Sequence, residues 1–218
     1  WIYQNGHGVP MNPELAVALY QRACDGMLMV GCNNLGWMYQ NGNGVETDLG
    51  RAVALYVQAC DLGNPESCVN LGWLFEKGQG VPKNMTEAAR WFKQAAEAGD
   101  PASATHLGWL LENGALGSTD LPGALALYER AAQAGDAAAQ NNLGRLYREG
   151  QGVPADFVKA REWFLKAAAQ NEPLAWYNLG LMAEQGQGMD KNEAEALDWF
   201  GKAAGQNLPA AQSRLGWL

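Results

Sequence analysis

The sequence predicts an all-α fold, a solenoid of stacked antiparallel helix pairs, on three observations. The pair Leu-Gly recurs at Leu35-Gly36, Leu71-Gly72, Leu107-Gly108, Leu143-Gly144, Leu179-Gly180 and Leu215-Gly216, each step being 36 residues with no insertion. Three more columns keep the period: alanine at 16, 52, 88, 124, 160 and 196; an aromatic ring at Tyr20, Tyr56, Phe92, Tyr128, Phe164 and Phe200; Asn or Asp at Asn12, Asp48, Asn84, Asp120, Asp156 and Asn192. Each unit also holds two stretches with apolar residues at helical spacing. A fixed period of this length marks a repeat architecture. One helix pair cannot bury its apolar face alone, so pairs must stack.

The first helix of each unit, helix A, is typified by PASATHLGWLLENG, residues 101–114. Asp100 fits its N-cap, Pro101 its first position and Gly114 its stop. Helix B is typified by NMTEAARWFKQAAEAG, residues 84–99, capped by Asn84 and ended by Gly99. Its Ala88, Trp91, Phe92, Ala95 and Ala96 follow the i, i+3, i+4, i+7, i+8 pattern of one helical face. The Asn84-Met85-Thr86 sequon overlaps this cap and is read as a cap. Small residues in the Gly36 and Ala52 columns suit close helix–helix approach. Between A and B run glycine-rich turns: NGHGV, NGNGV, KGQGV, EGQGV and QGQGM. A phosphate cradle would follow a strand and open a helix. These turns follow a helix C-terminus, where the dipole end is negative, and no Gly-Lys-Ser/Thr occurs. They are expected to be turns with glycines at positive φ. One unit departs, with Leu116 and Gly117 in NGALGSTDLPG, so its turn is expected to bend differently.

These columns, small-x-x-x-Leu-Gly-x-x-Tyr-x-x-Gly-x-Gly-Val followed by Ala-x-x-Trp/Leu-Tyr/Phe-x-x-Ala-Ala-x-x-Gly, resemble the Sel1-like repeat family, relatives of tetratricopeptide repeats. The resemblance covers essentially the whole chain. It implies a right-handed superhelix with helix A lining the concave side, and a usual role as a protein–protein adaptor. Trp1 lies 36 residues before Trp37, so the chain opens inside one helix A, and Trp217 closes it inside another. Residues 1–218 are therefore expected to form a single solenoid of about six repeats, a fragment of a longer array whose edges need covering.

Composition narrows the function. A hydrophobic content of 48% and a charged content of 17% are those of a chain with a real core. The net charge of −8, with 15 Lys and Arg spread along the chain, leaves no basic stripe for nucleic acid or an anionic membrane. No apolar run reaches the ~18–20 residues of a spanning helix, and no signal peptide opens the chain. Partners among nucleic acids and membrane insertion are not expected.

Cys24 and Cys32 recur 36 residues later as Cys60 and Cys68. The first of each pair ends a helix B and the second lies in the next helix A. An antiparallel turn brings such positions together, which favours Cys24–Cys32 and Cys60–Cys68 disulfides. The alternative is four reduced cysteines packing as small hydrophobes. This Cys-x7-Cys spacing resembles the Helicobacter cysteine-rich proteins, which are secreted and disulfide-bridged. Later units abandon it, with Ala96 and Ala104, then Ala132 and Gln140, in the matching places. Disulfides would imply a periplasmic or secreted protein; free thiols, a cytoplasmic one. No Cys-x2-Cys occurs and only two histidines are present, so no metal site is expected.

No catalytic constellation stands out and no cofactor is expected. His7 lies in a turn and His106 on a helix A, in different units, without a nucleophile setting. Glu76 and Glu112 read as solvated helix-face charges. Projecting helix A at 100° per residue buries positions 31, 35, 38 and 39 and turns 30, 33, 34, 37, 40 and 41 to the other side. That side carries a tryptophan ladder, Trp37, Trp73 and Trp109, changing to Arg145. Beside it runs a mostly amide ladder, Asn34, Asn70, His106, Asn142 and Asn178. Repeats ~8–10 Å apart would each meet about three residues of an extended peptide rising ~3.3 Å per residue. Trp and Arg are residue types enriched in binding hot spots. The competing reading is that the tryptophans pack between neighbouring helices as core. The leading expectation is a non-enzymatic adaptor binding a protein or peptide in a concave groove, with the oligomeric state open. Rivals are a binder of cell-wall glycopeptide or β-lactam, as the cysteine-rich resemblance implies, and an architectural spacer. The absence of Ser-x-x-Lys argues against a serine β-lactamase.

Overall fold

A computed structural model describes residues 1–217. Among the described residues there are thirteen helices and no strand. They are α1 (Ile2–Asn5), α2 (Pro13–Asp25), α3 (Met29–Asn41), α4 (Leu49–Asp61), α5 (Pro65–Lys77), α6 (Met85–Glu97), α7 (Pro101–Glu112), α8 (Leu121–Gln133), α9 (Ala137–Glu149), α10 (Phe157–Ala168), α11 (Pro173–Gln185), α12 (Glu193–Gly205) and α13 (Pro209–Leu215). Odd-numbered helices are the A type and even-numbered ones the B type. The chain divides into two compact units, Trp1–Ser103 and Ala104–Leu218. Within each, successive helices pack on one another, α2 on α3 and α3 on α4 in the first, α9 on α10 and α10 on α11 in the second.

The helix boundaries follow from local chemistry. The side chain of every Asn or Asp in the capping column accepts a backbone N–H three residues on: Asn12 from Leu15, Asp48 from Arg51, Asn84 from Glu87, Asp120 from Gly123, Asp156 from Lys159 and Asn192 from Glu195. Each satisfies a donor the helix cannot. Asp100 accepts from the Ser103 N–H at 2.7 Å, as its place before Pro101 predicts. At the other end, Gly42, Gly78, Gly150 and Gly186 stop helices A in the left-handed conformation. The second glycine of the turn has an additional task. Gly44 sits at φ 69°, and a Cβ there would fall 2.4 Å from the backbone of Pro13 at the start of the preceding helix B. In the departing turn the left-handed positions are Gly114 and Gly117, one residue further apart, so this turn does bend differently.

The core is built on the Leu-Gly column. Leu35, Leu71 and Leu143 are fully buried. A Cβ on Gly36 would lie 2.9 Å from the Tyr56 ring, on Gly72 2.5 Å from Phe92, on Gly108 2.8 Å from Tyr128, on Gly144 2.8 Å from Phe164 and on Gly180 2.6 Å from Phe200. Helix A thus presents bare backbone to the aromatic ring of its own helix B in each of these repeats.

Both cysteine pairs are disulfides, Cys24–Cys32 and Cys60–Cys68, with S–S distances of 2.05 and 2.01 Å. All four sulfurs belong to buried residues. Each bond ties the end of a helix B to the next helix A and so joins neighbouring repeats. In the second unit Gln140 stands in the place of the second cysteine, and its Nε2 donates to the Ala132 carbonyl at 3.1 Å. Gln170 adds a bond from its Nε2 to Gln140 Oε1 at 2.9 Å. A hydrogen-bonded clasp there replaces the covalent one.

Two measurements check this account. Gly72→Ala should destabilise the chain in urea by about 1–3 kcal/mol, the usual cost of overpacking. Gly201→Ala, on a stretch of α12 with nothing within 4 Å of the new Cβ, should stabilise it by about 0.5–1 kcal/mol. For the disulfides, thiol titration of the unreduced chain in denaturant should find none. Reduction should lower stability by about 2–3 kcal/mol for each loop, given a sequence separation of 8.

Candidate binding face

The predicted site residues lie on helices A, and each unit presents its own set. In the first, Trp37 on α3 is 40% exposed and Trp73 on α5 is 37% exposed. The Trp73 ring meets Phe92 edge-on at 5.2 Å and carries the Lys77 ammonium at 5.4 Å. Asn41 turns its amide back to the Trp37 carbonyl at 2.8 Å. Asn34 and Asn70 are half-buried beside the tryptophans. In the second unit Trp109 on α7 is 46% exposed, and its ring stacks on His106 at 5.9 Å. Asn142 is half-buried on α9. The tryptophans are therefore neither free of packing nor core.

Two corrections follow from the way neighbouring A helices meet. Asn33, projected onto the open side, is buried. It donates to Glu66 Oε2 at 3.1 Å and accepts from Ser67 Oγ at 2.8 Å and Asn70 Nδ2 at 3.4 Å. Asn178, predicted to line a groove, is also buried. It donates to Asn141 Oδ1 at 2.9 Å and accepts from Arg148 at 2.8 Å. The same register, one column of a repeat bonding to the next column of the following repeat, recurs in both units. Part of the amide ladder is thus a polar seam between A helices. Buried amides need partners, and these columns supply each other's.

Arg145 does not stand open as a further rung. Its side chain, 26% exposed, pairs with Glu112 on α7, which is only 11% exposed. It also reaches Glu149 at 3.2 Å and Gln151 at 3.3 Å. Glu112, read from sequence as a solvated charge, instead accepts from the Tyr128 hydroxyl at 2.9 Å. Burial pushes the Tyr128 hydroxyl well above the ordinary tyrosine range, and its hydrogen bond to Glu112 adds to this. Burial alone would weaken the Arg145 charge, but Glu112, joined by Glu149, more than offsets it and raises its pKa.

Sequence reasoning missed this cluster, although a signal was present. Tyr20 donates to Gln4 at 2.8 Å and Tyr56 to Gln40 at 2.7 Å, over the same sixteen-residue separation as Tyr128 and Glu112. Where the ring is phenylalanine, the residue sixteen before it turns elsewhere: Arg148 to Asn178, and Glu184 to Arg214. Every tyrosine of the column has a Gln or Glu sixteen residues before it.

Among the described residues no cluster of His, Cys, Asp and Glu could hold a metal ion, and no helix is long and apolar enough to cross a membrane. A recess of about 690 Å³ lies on the α3–α4 turn, lined by residues including Tyr39, Val45, Thr47 and Arg51; none of the predicted site residues lines it.

The Sel1 repeat profile matches residues 1–26, 30–64, 65–100, 101–136, 137–172 and 173–208. The chain belongs to the Sel1 repeat family. Comparison with curated proteins gave no match. Among solved structures, the chain is similar to c5321, a protective antigen of uropathogenic Escherichia coli with an SLR fold, at 35% identity and a TM-score of 0.86. The likeness covers 99% of this chain and 46% of that one, so the chain spans about half of its length. A Sel1 repeat protein from Oxalobacter formigenes is 34% identical with a TM-score of 0.82, over 94% of this chain and 84% of that one. A putative Sel1 repeat protein from Klebsiella pneumoniae shares the fold at 24% identity and a TM-score of 0.54, over 92% and 97%.

Glu112→Gln should cost about 1–3 kcal/mol of stability by removing the main counter-charge of a largely buried guanidinium. Adding Arg145→Met should restore part of that loss. Urea unfolding of the two variants reads both effects.

Proposed function

We propose that this Sel1 repeat chain is an adaptor that binds a protein or peptide through its A helices, with Trp37 and Trp73 as anchors in the first unit and Trp109 in the second. Sel1 repeat proteins are generally protein-interaction adaptors and generally non-enzymatic. The observation that carries the finer reading is the exposure of these three indoles. A core tryptophan in this chain, Trp91, is 5% exposed, whereas each of the three leaves more than a third of its surface in water. Exposed indoles recurring at one register are costly to hydrate, and covering them with a partner returns that free energy. The half-buried Asn34, Asn70, His106 and Asn142 beside them offer polar groups to a peptide backbone. Arg145, saturated by its own carboxylates, ends the aromatic run.

The two buried disulfides support an oxidising, extracytoplasmic location, since such bonds persist there and are rare among cytosolic proteins. The test of the adaptor reading is recovery of a partner from native extract. A partner retained by the wild-type chain should be lost from the Trp37→Ala/Trp73→Ala/Trp109→Ala variant, with the helical circular dichroism signal unchanged. Retention of the partner by a folded variant would falsify the assignment of this face.

A further inference from the structure

Several aromatic rings of this protein are supplied with cations from its own chain. Lys77 lies over Trp73 at 5.4 Å, Lys166 over Trp163 at 3.8 Å and Lys202 over Trp199 at 4.2 Å, each lysine three or four residues after its ring. Arg51 covers Tyr39 at 4.5 Å and Arg90 covers Trp91 at 4.1 Å. Trp37 departs from this arrangement. The residue four positions on, where Trp73 has Lys77, is Asn41, and its amide is bonded back to the Trp37 carbonyl. Among the described residues no cation lies over the Trp37 ring and no aromatic ring stacks on it, although it is 40% exposed.

The surroundings of Trp37 carry the opposite charge. Glu66 is exposed, and its carboxylate is fixed beside α3 by the Asn33 amide, one turn before Trp37. The chain as a whole has 23 acidic and 15 basic residues. An exposed electron-rich ring face on an acidic chain attracts an ammonium or guanidinium group. We infer that the partner is a basic peptide segment, and that one of its Lys or Arg side chains stacks on Trp37 in the place Lys77 takes on Trp73. The inference rests on the adaptor reading above and specifies its ligand chemistry.

The experiment titrates the full chain with two labelled probes of equal length, acetyl-(Ala-Lys)4-amide and the same peptide with norleucine in place of lysine. Binding is followed by fluorescence anisotropy at low and moderate salt. The lysine probe should bind at least about threefold more tightly, in keeping with one exposed cation–π contact, with the advantage shrinking as salt rises. Trp37→Leu should abolish that preference. Leucine keeps apolar contact without a π face, and Leu181 already occupies the same column in a later repeat, so the variant is compatible with folding. Asn41→Lys, which copies the placement of Lys77, should weaken the lysine probe, whereas Asn41→Met should not. Equal binding of both probes, or a preference that survives Trp37→Leu, overturns the inference and leaves the adaptor reading intact. Binding of neither probe overturns this inference; the adaptor reading is defeated separately, by a folded triple-alanine variant that still retains the partner.

Discussion

The rest of the structure depends on the contact between the glycine of a Leu-Gly pair and the aromatic ring twenty residues later. Helix A carries no side chain at that point, so the ring of helix B packs close to its backbone. With a Cβ in place the separation would fall to between 2.5 and 2.9 Å across five repeats, closer than carbon atoms can pack. The pair therefore closes only if the column is glycine. Once it closes, the adjacent leucine is driven into the seam. The opposite face of helix A is left outward by the 3.6-residue period. Trp37, Trp73 and Trp109, each two residues after such a leucine, owe their exposure to that geometry.

Contacts between repeats are more varied than those within them. Two junctions are disulfides; one is a glutamine that bonds the carbonyl in the same place. The second glycine of the turn lets neighbouring repeats approach, as Gly44 does against Pro13. Between A helices a seam of amides, Asn33 with Asn70 and Asn141 with Asn178, satisfies groups that stacking would otherwise strand. Each solution joins neighbouring helices by different chemistry. A repeat fold permits this because each junction is a nearest-neighbour problem.

The outward face carries the functional reading because its residues are less constrained. At one column the chain has Trp37, Trp73, Trp109, Arg145 and Leu181, whereas the Leu-Gly column does not change. Arg145 marks a change in character. Its charge is spent on Glu112 and Glu149, so the second unit trades an exposed indole for an internal ion pair. Trp37 is at the other extreme, a 40% exposed ring with the Asn41 amide on its backbone carbonyl.

By itself the sequence determined the repeat, the helix pairs, their caps and the glycine turns. These depend on local dihedral preference and on periodicity, both of which can be read along the chain. The six Asn and Asp caps and the displaced turn at Gly117 were legible for that reason. It also placed Trp37, Trp73 and Trp109 on the outward side, since helical projection is a local argument. Tertiary structure alone decided which polar residues on that side stay in reach of a ligand. Asn33 and Asn178 project outward from a lone helix but are buried once the next helix A arrives, and Glu112 becomes an ion-pair and tyrosine partner rather than a solvated charge. Whether a polar side chain is spent inside or left for a partner depends on the neighbour it meets about one repeat away, and no single-helix projection contains that neighbour.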